Sequence, residues 1–222
     1  MSRDDIPDLG PYWRIDAPAP TGSSRPRTLV LAHGAGQGMD SPFMELMARL
    51  IAAWGIRVLR FEFPYMQSMR RTGTRRPPDS ASRLTAAWHQ ALGRLAGQGL
   101  DPDRLLIGGK SLGGRMASLV ALERPVAGLV CLGYPFHPPG RPGQTRVEHL
   151  RGLAVPTLIC QGTRDPFGSP DEVAGYGLGP AIRVVWIEDG EHSLKPGRSS
   201  GRTWEQNLGE AADVVAQWTA GL

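Results

Sequence analysis

Residues 104–123 read RLLIGGKSLGGRMASLVALE, and this stretch is the strongest indication of the fold. An apolar run of β-type residues at 104–107 leads into GGKSLGG, and a segment with helical spacing follows at 112–123. The G-x-S-x-G pattern at 109–113 is typical of a sharp turn from a strand into a helix, where only glycines let the backbones pass closely. The pattern alone also fits an ordinary glycine-rich turn in which Ser111 caps the helix. Because a strand precedes the turn and a helix follows it, we interpret Ser111 as a nucleophile.

On both sides of this stretch, short apolar runs alternate with longer amphipathic segments. The candidate strands are residues 28–32, 56–63, 104–107, 128–132, 157–160 and 182–187, with a candidate edge strand at 12–15. The candidate helices are residues 41–54, 79–97, 112–123 and 203–218, with short ones at 147–150 and 170–176. Strands that are apolar throughout are typical of parallel strands covered on both faces. The sequence therefore predicts an N-terminal extension at 1–26 and one α/β domain at 27–222, with a mostly parallel central sheet and helices on both faces.

Length and composition are those of an ordinary globular domain. The chain has 222 residues, of which 41% are hydrophobic and 21% charged, and this length is enough to bury a large core. The formal net charge of +4 is too small and too dispersed to predict nucleic-acid binding. The N-terminal MSRDDIPDLG lacks the apolar stretch of a signal peptide, and no apolar run approaches the length of a membrane span. We therefore expect a cytoplasmic protein that binds neither nucleic acid nor membrane.

The cysteines and histidines predict neither a disulfide nor a metal site. Cys131 and Cys160 both lie in apolar strand candidates, which favours buried free thiols. The five histidines lack the paired spacing of metal ligands, and the glycine-rich residues 108–111 lack the spacing of a phosphate-binding loop. We therefore expect a protein without a metal or an organic cofactor.

Polar residues that follow two later strands complete a candidate site with Ser111. Asp165 comes soon after the strand at 157–160, and His192 follows the strand at 182–187. The carboxyl ends of parallel strands meet at one edge of a sheet, which is where ligands bind. Asp165 is the better candidate to orient His192, although Asp189 is nearer in sequence. The chain order serine, aspartate, histidine is one of three known for this set of side chains.

With these residues in place, the sequence resembles a known family, the small serine α/β-hydrolases near dienelactone hydrolase. The phrases that carry the narrower resemblance are FEFPYM at 61–66, RRPP at 75–78, GKSLGGR at 109–115 and HSLKP at 192–196. They resemble a branch with bacterial hydrolase-like proteins and the animal testis-expressed and NSL-complex-subunit hydrolase-like proteins, from about residue 27 to the C-terminus. The chain departs from dienelactone hydrolase itself, because Ser111 stands where that enzyme has a cysteine nucleophile, which puts dienelactone in doubt as the substrate.

The resemblance implies a mechanism and a division of roles. His192 would take the proton of Ser111, and Asp165 would hold the imidazole and stabilise its cation. The amides of Ala35, in the turn His33–Gly36, and of Leu112 would form the oxyanion hole. His33 itself is interpreted as a structural hydrogen-bonding residue rather than a base.

The surroundings of the site are predicted less sharply. About twenty residues at 135–156 stand where many relatives insert a helical cap, so we expect no cap domain. The candidate walls of the substrate pocket, each of which fits plain packing equally well, are Tyr65, Met66, Phe136, His137 and Phe167. Lys110 either pairs with a buried carboxylate such as Glu62 or extends its ammonium to water, which we prefer.

The segment 64–78 contains four arginines, Arg70, Arg71, Arg75 and Arg76. Like charges this close predict an open, solvated loop. Its arginines either pair with acids such as Asp79 or attract an acidic substrate, and Arg70 and Arg71 are the candidates for binding such a substrate.

Two functions follow from these residues. The first is a serine hydrolase that cleaves a carboxylic ester or thioester, a small-molecule substrate, through an acyl-enzyme on Ser111. The alternative is a subunit of the same fold kept mainly for interaction, with little or no catalysis. The presence of Ser111, Asp165 and His192 together favours the enzyme, because a scaffold does not need all three.

Overall fold

A computed structural model describes residues 9–20 and 26–222, in which seven strands form one sheet. The strands are Trp13–Asp16 (β1), Thr28–Ala32 (β2), Arg57–Phe61 (β3), Leu105–Lys110 (β4), Gly128–Leu132 (β5), Thr157–Gly162 (β6) and Ile182–Ile187 (β7). Their order is β1-β3-β2-β4-β5-β6-β7, with β1 antiparallel to β3 and every other pair parallel. The α/β fold with a mostly parallel sheet, predicted from the alternating apolar runs, is confirmed. β1 begins one residue later than the expected edge strand.

Helices cover both faces of the sheet. They are Pro42–Ala53 (α1), Pro64–Thr72 (α2), Ala81–Ala96 (α3), Leu112–Val120 (α4), Glu148–Arg151 (α5), Pro170–Ala174 (α6) and Trp204–Ala220 (α7). The buried residues of α1 and α7 share one apolar cluster with one face of the sheet, and those of α3 and α4 share another with the opposite face. Side chains of successive strand residues alternate between the two clusters, as the pleat of a strand requires.

The two cysteines illustrate this alternation. Cys131 on β5 belongs to the cluster under α3 and α4, whereas Cys160 on β6 belongs to the cluster under α1 and α7. Both are free and buried, as predicted. Burial raises the pKa of both thiols, that of Cys160 to about 12, so neither is a reactive thiolate.

The segment 64–78 is not the open loop that the sequence suggested. Its first nine residues form α2, in which Pro64 occupies the first turn and Gly73 ends the helix with φ of 70°. A proline in the first turn costs no hydrogen bond, and glycine readily adopts positive φ. Only Tyr65 and Met66 of this helix are buried. This prediction was wrong because the three apolar residues of the helix, Tyr65, Met66 and Met69, span little more than one turn, which is too short for a helical period to stand out.

The expected absence of a cap agrees with the architecture between β5 and β6. The 24 residues from 133 to 156 carry the single turn of α5 and otherwise turns and loops. The segment between β5 and β6 therefore adds no helical cap over the edge of the sheet where β2, β4, β6 and β7 end. In the part of the chain that is described, no helix combines the length and apolarity needed to cross a bilayer.

Candidate active site

Ser111 lies in a strained turn between β4 and α4. Its backbone has φ of 50° and ψ of −112°, a conformation that L-residues rarely adopt. A Cβ atom at Gly109 or Gly113 would lie 2.2 Å from the carbonyl oxygen of Ala32, so both positions require glycine. The Ser111 side chain makes no capping hydrogen bond to α4. The alternative interpretation as a helix cap is therefore wrong, and the hydroxyl is left for another partner.

That partner is His192, in the loop between β7 and α7. Its Nε2 lies 2.8 Å from Ser111 Oγ, and its Nδ1 lies 2.8 Å and 3.1 Å from the two carboxylate oxygens of Asp165. With Nδ1–H donating to Asp165, Nε2 is the unprotonated nitrogen that accepts the Ser111 hydroxyl proton. The structure thus brings together the three side chains that the sequence nominated.

Asp165 is held rigidly for this contact. It is 1% exposed, and its two oxygens also accept from the backbone N–H of Phe167 and the side-chain amide of Gln161. Gln161, at the end of β6, was not singled out from the sequence, because a glutamine at a strand end has no distinctive pattern. Asp189, the alternative orienter, instead accepts from Arg164 and the Gly197 N–H. Asp189 therefore stabilises the local structure through these partners.

The surroundings of His192 favour its neutral form. Burial lowers its pKa below the ordinary 6.5, and the nearby Lys110 cation lowers it further, while the hydrogen bond to Asp165 raises it. The net direction is downward, so the imidazole is mostly unprotonated at neutral pH. The Phe167 ring stacks on the imidazole with centroids 4.0 Å apart, which restricts the ring's rotation.

Two backbone amides beside Ser111 are candidates for binding an oxyanion. Leu112 is the first residue of α4, so its N–H has no acceptor within the helix. Ala35 lies in an exposed turn after β2, and its N–H makes no hydrogen bond among the residues described. His33 in the same turn is structural, as predicted. Its Nδ1–H donates to Gly34 O, and its Nε2 accepts from Phe63 N–H.

A cleft of about 430 Å³ opens at Ser111 and His192. It is lined by Gly34, Ala35, Gly36, Gln37, Ser41, Phe43, Met44, Arg75, Lys110, Ser111, Phe167, His192 and Ser193. Of the aromatic and methionine candidates for its walls, Phe167 is in this lining. The expectation was wrong for the others, because their side chains are buried in the protein instead of facing the cleft: Tyr65, Met66, Phe136 and His137. The Tyr65 hydroxyl, for example, donates to the Gly34 carbonyl at 3.3 Å.

The arginines of segment 64–78 do not act as one group at the cleft, because their side chains have different surroundings. Arg70 donates to both oxygens of Glu62 and to Asp40, and these two acids raise its pKa. It is therefore not available as a substrate-binding residue, and the expectation for it is corrected. Arg71 is exposed on α2 and is not in the lining, whereas Arg75, in the chain after α2, lines the cleft.

Lys110 also differs from both interpretations of its sequence position. Glu62 pairs with Arg70, and the Lys110 ammonium does not reach open water, because the residue is 7% exposed. Its Nζ donates to the backbone carbonyl of His192.

A second serine–histidine contact lies away from this edge. Ser118 Oγ is 2.8 Å from His149 Nε2, but the Ser118 hydroxyl donates to the Arg115 carbonyl at 2.7 Å. His149 must then donate to Ser118, so it cannot accept that serine's proton.

No group of three or more potential metal ligands occurs among residues 9–20 and 26–222.

The comparisons with known proteins agree with this fold. The family model for the alpha/beta hydrolase domain matches residues 25–220. The chain belongs to this family. Among solved structures, an α/β serine hydrolase homologue from Coxiella burnetii has a TM-score of 0.68 at 16% identity, covering 92% of this chain and 89% of its own.

Two further structures match this α/β hydrolase closely in shape. Dienelactone hydrolase from Anabaena variabilis has a TM-score of 0.67 at 22% identity, covering 94% of this chain and 90% of its own. An α/β serine hydrolase without a lid from Xanthomonas campestris has a TM-score of 0.66 at 19% identity, covering 93% and 88%. At these identities the likeness is one of fold. The narrower branch with the testis-expressed and NSL-complex-subunit proteins stays a prediction.

Proposed function

We propose that this α/β hydrolase is a serine esterase or thioesterase that works through an acyl-enzyme on Ser111. The observation that carries the proposal is the continuous set of contacts from Ser111 Oγ through His192 to Asp165, with heavy-atom distances of 2.8 Å at each step. These are the distances of a nucleophile joined to its general base and of a base joined to its orienting carboxylate.

In the first step, Ser111 Oγ attacks the carbonyl carbon of the substrate while its proton moves to His192 Nε2. The negative charge that develops on the carbonyl oxygen is stabilised by the N–H groups of Ala35 and Leu112. His192 then gives the proton to the leaving alcohol or thiol, the bond to that group breaks, and the acyl group remains on Ser111. Asp165 stabilises the imidazolium without becoming protonated.

In the second step, water replaces the leaving group. His192 accepts a proton from the water, the resulting hydroxide attacks the acyl carbon, and the bond to Ser111 breaks. The proton returns from His192 to Ser111 Oγ, so the enzyme is regenerated and a carboxylic acid leaves. All protons are carried by His192, and the reaction requires no cofactor.

The cleft supports a small-molecule substrate with a small acyl group. The cleft has a volume of about 430 Å³ and is open to solvent, since the segment between β5 and β6 adds no cap over it. Phe167 and Phe43 supply apolar contacts, and Arg75 lies among the lining residues. We further propose that the enzyme acts in the cytoplasm and has no nucleic-acid partner, since its net charge is +4 and its two thiols are free.

Labelling by a fluorophosphonate probe tests the proposal. The parent protein should incorporate one probe molecule on Ser111, and a folded Ser111→Ala variant should incorporate none. The matched control is Ser193→Ala, which removes a second hydroxyl from the cleft lining and should leave labelling in place. A panel of esters and thioesters of increasing acyl length then ranks substrates. Labelling that persists in Ser111→Ala would reject Ser111 as the nucleophile, and a parent that is not labelled would favour the interaction subunit.

A further inference from the structure

Lys110 is a buried cation beside the candidate nucleophile. It is the last residue of β4 and lines the floor of the cleft, yet only 7% of it is exposed. Its stem packs against Gly34, where a Cβ would lie 3.4 Å from Lys110 Cγ, and its Nζ lies 5.4 Å from the centre of the Phe43 ring. The hydrogen bond that Nζ makes goes to a neutral group, the backbone carbonyl of His192. No carboxylate touches it among the residues described.

Such an arrangement is costly, so its presence needs a reason. Removing an ammonium from water costs several kcal/mol unless close charges compensate. The composition adds a second argument: of the 25 basic residues, only Lys110 and Lys195 are lysines. A guanidinium is a broad planar fork, whereas an ammonium is a compact point charge. A chain that uses arginine almost everywhere has a lysine at the one basic position next to Ser111.

The Lys110 ammonium connects the two halves of the site. Lys110 precedes Ser111 in the chain and bonds to the backbone of His192, so a single side chain joins nucleophile and base. Gly133, after β5, leaves room for this bond. A Cβ there would lie 2.6 Å from His192 O and 3.0 Å from Lys110 Nζ. On the other side of the loop, Glu191 accepts from the N–H groups of Ser193 and Lys195.

The charge of Lys110 acts on the same histidine. Asp165 and Glu191 are the acids near enough to favour the ammonium, but burial dominates and lowers the pKa of Lys110 to about 8. At neutral pH the group is still mostly charged. This cation lowers the pKa of His192, in addition to the larger effect of burial, and so opposes protonation of the imidazole.

We propose that Lys110 is a positioning residue for the reaction proposed above, which fixes His192 against Ser111 through the backbone carbonyl and keeps the imidazole neutral through its charge. The inference rests on the proposed function. The first role sets the distance from base to nucleophile, and the second sets the pH range in which the base can accept a proton.

Two substitutions separate these roles. Lys110→Met keeps the length of the side chain but removes both the donor and the charge. Its kcat should fall on the order of 10- to 100-fold with little change in KM, as for a misplaced catalytic group. The acid limb of its kcat/KM profile for a neutral ester should move to higher pH by about one unit, because a nearby cation is lost. Lys110→Gln keeps an N–H donor without charge, so it should recover most of kcat while showing the same displaced limb.

Lys195→Met is the matched control, since it removes the other lysine, which is exposed on the same loop; its kcat and pH profile should equal those of the parent. If Lys110→Met does not fold, the acid limb of the kcat/KM profile of Lys110→Gln tests the role of the charge. The inference is overturned if the uncharged variants keep the parent's acid limb, or if Lys110→Met keeps the parent's kcat. Fluorophosphonate labelling of the parent distinguishes a failure of the role of Lys110 from a failure of the proposed function. A labelled parent with unaffected variants rejects only the role of Lys110, whereas an unlabelled parent rejects the proposed function and this inference together.

Discussion

Replacing Asp165 by asparagine removes one charge and changes almost nothing in volume. The two carboxylate oxygens accept from three N–H groups: those of Phe167, Gln161 and His192. An asparagine has only one acceptor oxygen, so its NH₂ group must face at least one of these donors. Whichever way it turns, either the imidazole loses part of its acceptor or a buried N–H is left facing another N–H.

The size of the effect follows from these contacts. Without the carboxylate, the imidazolium formed in the transition state loses its counter-charge, and the ring can take the wrong tautomer. In the serine protease that is the standard case for this substitution, the loss is about 10⁴-fold in kcat. The Asp165 carboxylate is 1% exposed, so water cannot replace it. We expect kcat to fall about 10³- to 10⁴-fold, which corresponds to about 4–5.5 kcal/mol.

The assay is hydrolysis of a chromogenic acetate ester by Asp165→Asn and by the matched variant Asp189→Asn. Asp189 is nearer to His192 in sequence but bonds to Arg164 and Gly197, so its substitution should change kcat by less than about tenfold and act mainly through loop stability. Circular dichroism verifies that both variants fold. If Asp189→Asn loses more activity than Asp165→Asn, Asp165 is not the residue that orients His192.

Three further results are expected. Because a neutral base is required and the pKa of His192 is lowered mainly by burial, kcat/KM should rise with pH with a midpoint below 6.5; a midpoint above that value would show that the pKa of His192 is raised instead. Arg75 lines the cleft and Arg71 does not, so kcat/KM for an anionic ester should fall as salt is added, because screening at ~0.15 M acts over about 8 Å. Arg75→Gln should abolish this salt effect, and Arg71→Gln should not. Equal salt responses of anionic and neutral esters would count against a role for Arg75. Cys131→Ala and Cys160→Ala should each lower the free energy of unfolding by about 1 kcal/mol without loss of turnover, and a native mass two protons below the reduced mass would show a disulfide instead.

The predicted strands agree with the observed ones, and the three side chains nominated for the candidate site lie in contact, because these predictions start from simple patterns in the sequence. The predicted strands end within three residues of the observed ones, with the largest difference at β4, which ends at Lys110 and not at residue 107. The glycines around Ser111 are required by contacts of 2.2 Å to the Ala32 carbonyl oxygen. Asp165 and His192 were found by a topological rule, since both follow parallel strands at the same edge. The glycine pattern and the topological rule can both be applied to a sequence without knowing which distant residues meet, although the glycines themselves lie against Ala32 in β2.

The remaining features depend on contacts between distant parts of the chain. The pairing of Arg70 with Asp40 joins residues 30 positions apart and turns a candidate substrate-binding arginine into a structural one. Tyr65 and Phe136 follow strands at the active edge, but their rings pack into the core. The bond from Lys110 to a backbone carbonyl has no sequence signature, because every residue supplies the same acceptor.

Mass spectrometry of the trapped intermediate tests most directly whether an acyl group is transferred to Ser111. The protein is mixed with an activated ester, quenched with acid during turnover, and digested. We predict a mass increase equal to the acyl group less the hydrogen that it replaces on the peptide that contains Ser111, and none in His192→Asn on the same time scale. An adduct on any other residue, or steady turnover with no adduct on Ser111, would contradict the account.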